Sequence, residues 1–153
     1  GIKVPSVVSW PAEITKGETR DQFVTGTDWW LTLAEWTGAK IPEGHRLDGK
    51  SISEVVHDSK SESPHKRYYW QLGNQNGQWV MREGDWKLYA NARENIRPDD
   101  IPEMNRQDKK LFLVNLREDS GEKRNWAAEY PDRVQTLIKL AKANQDELVN
   151  FMK

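Results

Sequence analysis

The sequence predicts an α+β chain: a C-terminal antiparallel four-stranded sheet packed on a long C-terminal helix, preceded by a strand and a helix of α/β character. Three observations predict it. Between Tyr68 and Leu116, short aromatic and β-branched runs are punctuated by Gly, Asn and Asp. From Tyr130 to about Met152, apolar residues return every three or four positions. Near the start, Val4 to Trp10 is β-branched and almost continuously apolar up to Pro11, the pattern of a strand buried on both faces.

Taken in order, Ile14 to Gly17 reads as a turn. Thr27-Asp28 caps a helix through Trp36, and Gly38 supplies its left-handed stop. Trp29, Leu33 and Trp36 fall on one face of that helix, broadened by Trp30 and Leu31. Ile41 to Gly49 is a Pro/Gly loop, and Ser51 caps a short helical stretch through Val56. The polar, Ser-rich stretch from His57 to Lys66 marks a subdomain boundary, dividing the chain into residues 1–60 and 61–153. Strands follow at Tyr68 to Leu72, Gln78 to Arg82, Trp86 to Ala90 and Leu111 to Leu116. Gly73-Asn74 and Asn76-Gly77 mark the first connection, and Glu83-Gly84-Asp85 a tight hairpin. Asn91 to Lys110 is a long polar loop holding Pro98 and Pro102, of a length that is commonly functional or disordered. Val134, Leu137, Ile138, Ala141, Leu148 and Phe151 form the apolar face of the last helix.

Composition excludes several function classes. The 153 residues carry a net charge of −1, with 23 Lys and Arg against 24 Asp and Glu, so no strong basic face for nucleic acid is expected. Mean hydropathy is −0.91, polar for a free-standing domain, yet 8 Trp residues supply large surfaces to bury and exclude a disordered chain. With no cysteine, neither a disulfide nor a thiolate zinc site is expected. No apolar run is long enough to span a membrane, and no signal peptide is visible, although one upstream of Gly1 is left open.

Candidate chemistry is sparse. His45, His57 and His65 lie in loops without helical ligand spacing or a neighbouring carboxylate pair, and the expectation is that they are exposed. Gly84, Asp85 and Lys87 suit a hairpin turn better than ion binding. Trp70, Trp79 and Trp86 could stack on sugar rings, but at strand positions packing against the last helix is the better expectation. The Tyr68-Tyr69-Trp70 run must point rings to both faces of its sheet. Lys123, Arg124, Lys139 and Lys142 read as solvated positions.

Five segments, in order, resemble one family. Gly1-Ile2-Lys3-Val4-Pro5 with Ser9-Trp10-Pro11 is similar to the Gly-Gly-x-Arg-x-Pro…Trp-Pro stretch of sulfatases of the alkaline phosphatase superfamily, with Lys3 where Arg is usual. Asp28-Trp29-Trp30-Leu31-Thr32-Leu33 with Thr37-Gly38-Ala39 resembles their Asp-x-x-Pro-Thr-Leu…Ala-Gly helix, with Leu31 in place of Pro. Leu47-Asp48-Gly49-Lys50-Ser51 matches their Leu-Asp-Gly-x-Ser loop. Trp79 to Leu88 resembles their Gly-Asp-Trp-Lys-Leu hairpin. Leu111 to Asn125 resembles their Leu-Tyr-Asn-Leu-x-x-Asp-Pro-x-Glu-x-x-Asn segment, with Ser120 in place of Pro.

The resemblance implies the C-terminal region of an arylsulfatase-type sulfuric ester hydrolase: a tail of the α/β catalytic domain over 1–60, then the α+β subdomain over 61–153. Sulfatases use a formylglycine nucleophile, made from Cys or Ser in a Cys/Ser-x-Pro-x-Arg motif, and a calcium ion held by Asp and Asn. No Cys is present, and Ser61-Glu62-Ser63-Pro64-His65-Lys66-Arg67 has the wrong spacing. No catalytic, cofactor-binding or metal residue is therefore assigned, and both groups are expected before Gly1, leaving this chain inactive alone. The resemblance also implies that the Asn91 loop approaches the substrate. Asn91, Arg93 and Arg97 are accordingly candidate contacts for a sulfated small molecule or glycan. The expected partner is a catalytic domain of the same polypeptide, with self-association of the chain an added expectation and no nucleic acid or membrane partner. An extracytoplasmic location is implied by the family alone. The rival reading is a non-catalytic carbohydrate-binding module, which would show an exposed flat row of aromatic rings.

Overall fold

A computed structural model describes residues 4–15, 17–44, 47–73, 77–91 and 110–151. The chain divides into two compact units, Gly1–His65 and Lys66–Lys153.

In the first unit, α1 spans Asp28–Thr37 and α2 spans Ser53–His57. Gly38 ends α1 in the left-handed conformation (φ 67°), its N–H on the last carbonyls of the helix. Thr27 is not the side-chain cap expected of it; its hydroxyl pairs with that of Thr25. Trp29 and Trp36 turn inward onto Ile52, Val55 and Val56, with Ile14 and Val24 beside them. Leu33, expected on the same face, is half exposed, and Trp30 is 60% exposed. The centre of the inward face is held instead by Asp28 and Thr32, both fully buried. Arg20 finishes the small core by donating to the carbonyls of Val55 (2.8 Å) and Val56 (3.2 Å), among the acceptors a helix end leaves unsatisfied.

The strand expected over Val4 to Trp10 is not formed. These residues have no ladder partner among the described residues, and Val7 is 94% exposed. β-branched composition makes a segment compatible with a sheet, but a strand exists only when another strand takes its hydrogen bonds.

The second unit is the expected sheet and helix. β1 (Arg67–Leu72), β2 (Gln78–Glu83), β3 (Trp86–Ala90) and β4 (Leu111–Asn115) form an antiparallel meander in the order β1-β2-β3-β4. Glu83 pairs with Trp86 across a two-residue turn, where Gly84 takes φ 59°. α3 spans Pro131–Phe151, with Pro at its first position, where no N–H is needed.

Strand alternation sorts the side chains. Tyr69, Trp79, Met81, Trp86, Leu88, Leu111 and Leu113 face α3, and Met81, Leu88 and Leu113 are fully buried there. Val134, Leu137 and Ala141 are the helix residues that meet them, with Ile138 packed alongside. Burying Leu137 alone contributes about 2 kcal/mol of apolar transfer. Phe151, expected on this face, is 63% exposed. The geometry accounts for that: 21 helical residues run about 31 Å, whereas six strand residues run about 20 Å.

Candidate functional site

Asp28 organises the first unit. Its Oδ1 accepts from the Lys50 amide (2.9 Å) and lies 2.7 Å from His65 Nε2, while Oδ2 accepts from the Thr25 amide (2.6 Å). One turn on, the Thr32 hydroxyl donates to the Asp28 carbonyl and accepts from the Ile52 amide at 2.9 Å. The Asp-x-x-x-Thr pattern is thus a pair of buried acceptors, spaced one helical turn apart to hold the loop from Lys50 to Ile52. Gly49 belongs to the same device. A Cβ there would lie 2.3 Å from the Thr27 carbonyl oxygen, so only glycine permits the close approach.

His65 is therefore not the exposed loop residue expected from the sequence. It is buried against Asp28, with Phe23 edge-on at 5.8 Å, because a buried carboxylate needs hydrogen-bond donors. His57 is exposed; its Nδ1 lies 2.7 Å from the Ser53 carbonyl. His45 lies outside the described residues.

A second polar centre sits on the sheet face opposite α3. Lys87, only 3% exposed, places its ammonium 2.8 and 3.0 Å from the two carboxylate oxygens of Glu122. Tyr89 also donates to Glu122, and the Lys87 ammonium lies 4.7 Å from the Tyr89 ring centre. Burial pushes the Lys87 ammonium below the usual lysine range, Glu122 opposes that shift, and the neighbouring Arg82 adds to it. Burial likewise lowers Arg82, against the opposing charges of Asp85 and Glu122. Glu122 reaches this position with φ 56°, an unusual value for a side-chain-bearing residue, held by both partners.

The loop that delivers Glu122 is built by two other residues at three-residue intervals. The Asp119 carboxylate accepts from the Lys123 (2.6 Å) and Arg124 (2.8 Å) amides and folds the turn. Asn125 lies along β4 like a short extra strand: Oδ1 accepts from the Leu113 amide (2.9 Å), and Nδ2 donates to the Leu111 carbonyl (3.1 Å). The motif is legible in the sequence but these jobs are not, since nothing in residue spacing shows that Glu122 meets Lys87, 35 positions away.

Of the candidate substrate residues, Asn91 ends β3 with φ 53°, its amide on the Lys110 carbonyl (3.1 Å) and its Nδ2 on the Gly77 carbonyl (3.2 Å). The first of these bonds joins Asn91 to Lys110, the two described residues on either side of the intervening stretch. Arg93 and Arg97 lie outside the described residues. Trp79 and Trp86 pack toward α3, whereas Tyr68 and Trp70 pair on the opposite face at 4.8 Å. The aromatic pairs of this sheet are tilted by 34° to 73° rather than aligned in a flat row.

An antiparallel meander packed on one long helix, following a small helical unit in sequence, is an α+β architecture. Residues 1–92 match the family described as N-sulphoglucosamine sulphohydrolase, C-terminal, and the chain belongs to that family. A sulfatase of Formosa agariphila is 30% identical over 148 residues, covering 94% of this chain and 26% of the relative. An ulvan-active sulfatase of the same organism is 39% identical over 56 residues, 37% of this chain and 11% of that protein. Among solved structures, BT4656 in complex with its substrate D-glucosamine-2-N,6-O-disulfate has the same fold, with a TM-score of 0.63 and 20% identity over 92% of this chain and 28% of that one. The chain spans only 11% to 26% of the length of such curated relatives.

Proposed function

We propose that this chain is the C-terminal portion of a sulfuric ester hydrolase, packing on a catalytic domain of the same polypeptide and forming one wall of its substrate cleft. One observation carries the reading. Six polar side chains of the family motifs, Asp28, Thr32, Lys87, Asp119, Glu122 and Asn125, are engaged in holding this chain's own backbone and loops. Chemistry then falls to residues elsewhere in the polypeptide. Two observations support placing the family cofactors outside this chain: the sequence holds neither a cysteine nor a Ser-x-Pro-x-Arg run, and among the described residues no group of three or more His, Cys, Asp or Glu is placed to hold a metal ion. Formylglycine and calcium belong, in this reading, to the catalytic domain, and no step runs through them in this chain.

The substrate class is a sulfated carbohydrate or aryl sulfate. Arg93 and Arg97, which follow Asn91 in sequence, would meet the sulfate ester by charge-assisted hydrogen bonds. An extracytoplasmic location is proposed from the family alone.

The test is an assay of the 153-residue chain with a chromogenic aryl sulfate and calcium. No turnover above a heat-killed control is expected, and turnover would contradict the reading. In the full polypeptide, Arg93→Ala or Arg97→Ala should raise KM about tenfold, the loss of one charged hydrogen bond.

A further inference from the structure

The two edges of the sheet are finished differently. On β4 the outward-facing groups are occupied: the Leu111 carbonyl by Asn125 Nδ2, the Leu113 amide by Asn125 Oδ1, the Leu113 carbonyl by the Trp126 amide and the Asn115 carbonyl by the Asp119 amide. Among the described residues β1 has no such cover. The Gly84 amide donates to the Lys66 carbonyl, so the even-numbered residues of this strand bond to β2. The amides and carbonyls of Arg67, Tyr69 and Gln71 therefore point away from the sheet, and among the described residues no hydrogen bond reaches them. The register with β2 is continuous from Arg67 to Leu72, without a bulge, and no charged or proline residue lies between Tyr68 and Leu72. The features that ordinarily discourage strand addition are missing from its middle.

We propose that β1 is a self-association edge, which pairs antiparallel with β1 of a second copy about a two-fold axis at Tyr69. This goes beyond the sulfatase reading and does not depend on it. In that register Tyr69 opposes the partner's Tyr69, and Arg67 opposes the partner's Gln71. All three outward residues of each copy then exchange their amide and carbonyl hydrogen bonds, the isologous arrangement of a two-fold contact. Tyr68 faces the partner's Trp70 in the closer, non-hydrogen-bonded pairs, where aromatic side chains attract. No like charges meet: Lys66 opposes the partner's Leu72. Sliding the copies to centre on Arg67 would set two guanidiniums face to face, and it would leave Gln71 unpaired. The product is one continuous eight-stranded sheet.

Sedimentation equilibrium of the 153-residue chain over a wide concentration range should show a monomer–dimer equilibrium. Gln71→Pro removes an outward N–H at an exposed edge position where proline is tolerated, so the fold is kept and dimerisation should weaken at least about tenfold. The register has its own test, because the chain has no native cysteine. Lys66→Cys combined with Leu72→Cys should form intermolecular disulfides on mild oxidation. Within one copy these positions are about 20 Å apart, too far to bridge. A chain that stays monomeric throughout, whether because another segment of a longer polypeptide occupies β1 or for any other cause, overturns the proposal. So does a Gln71→Pro variant that dimerises as tightly as the original, or an associating double-cysteine variant that fails to cross-link. Should Gln71→Pro not fold, the cysteine pair decides alone.

Discussion

The two units solve the problem of a core in opposite ways. In Lys66–Lys153, a sheet face and one long helix bury Met81, Leu88, Leu113 and Leu137 completely, and Asn125 closes one sheet edge. In Gly1–His65 the apolar core is the small group of Ile52, Val55 and Val56, while Val4, Val7, Trp30 and Leu33 stay largely exposed. Its specificity comes instead from a buried carboxylate, a buried hydroxyl and a glycine that must be glycine. Exposed apolar groups at that density mark a surface made to be covered. In the proposed reading the second unit stands by itself and the first is completed by a catalytic domain.

The largest expected effect attacks the polar device of the first unit. Asp28→Ala leaves His65 and the Thr25 and Lys50 amides without their acceptor, and should cost about 3–5 kcal/mol. Amide exchange at Lys50 and Ile52 should accelerate accordingly. Exchange unchanged there would show that the apolar cluster alone holds the unit. Next, Leu137→Ala removes a fully buried side chain and should cost roughly 2–5 kcal/mol including the cavity, while Lys139→Ala on the exposed side of α3 should change stability by less than about 0.5 kcal/mol. Equal shifts in denaturant midpoint would mean the helix packs by another face.

The smallest effect sharpens the role of Lys87. Its folded pKa is depressed, so between that value and the unfolded value near 10.4 the unfolded chain binds more protons than the folded one. Lys87 therefore contributes increasing stability as pH rises through that window, and no pH dependence well below it. Stability of the original chain relative to Lys87→Met should grow from pH 8 toward pH 10.5. A difference that is flat, or that falls, would show that burial is not the dominant influence on the ammonium.

What could be read from the sequence follows the range of the forces involved. The four strands of the sheet and α3 were legible because alternation, turn residues and helical spacing are local. Gly84 in its two-residue turn and Gly38 at the end of α1 are local as well. The strand expected at Val4 to Trp10 failed because a ladder needs a partner that composition does not supply. His65 was misplaced because its reason for burial, Asp28, lies 37 positions away. The same limit hid the jobs of Lys87, Glu122 and Asn125. Their motifs were recognisable, but only the fold shows that each ties one segment to another. For the candidate substrate residues, the structure adds the tether of Asn91 to Gly77 and Lys110.

Native-state amide hydrogen exchange on the 153-residue chain tests the contrast between the units most directly. Amides of Leu88, Leu113 and Leu137 should exchange only through global opening of their unit, whereas those from Val7 to Trp10 should exchange at nearly the rate of an unstructured peptide. Protection over Val7 to Trp10 as strong as that at Leu88 and Leu113 would contradict the account, because it would mean that the first unit is already complete.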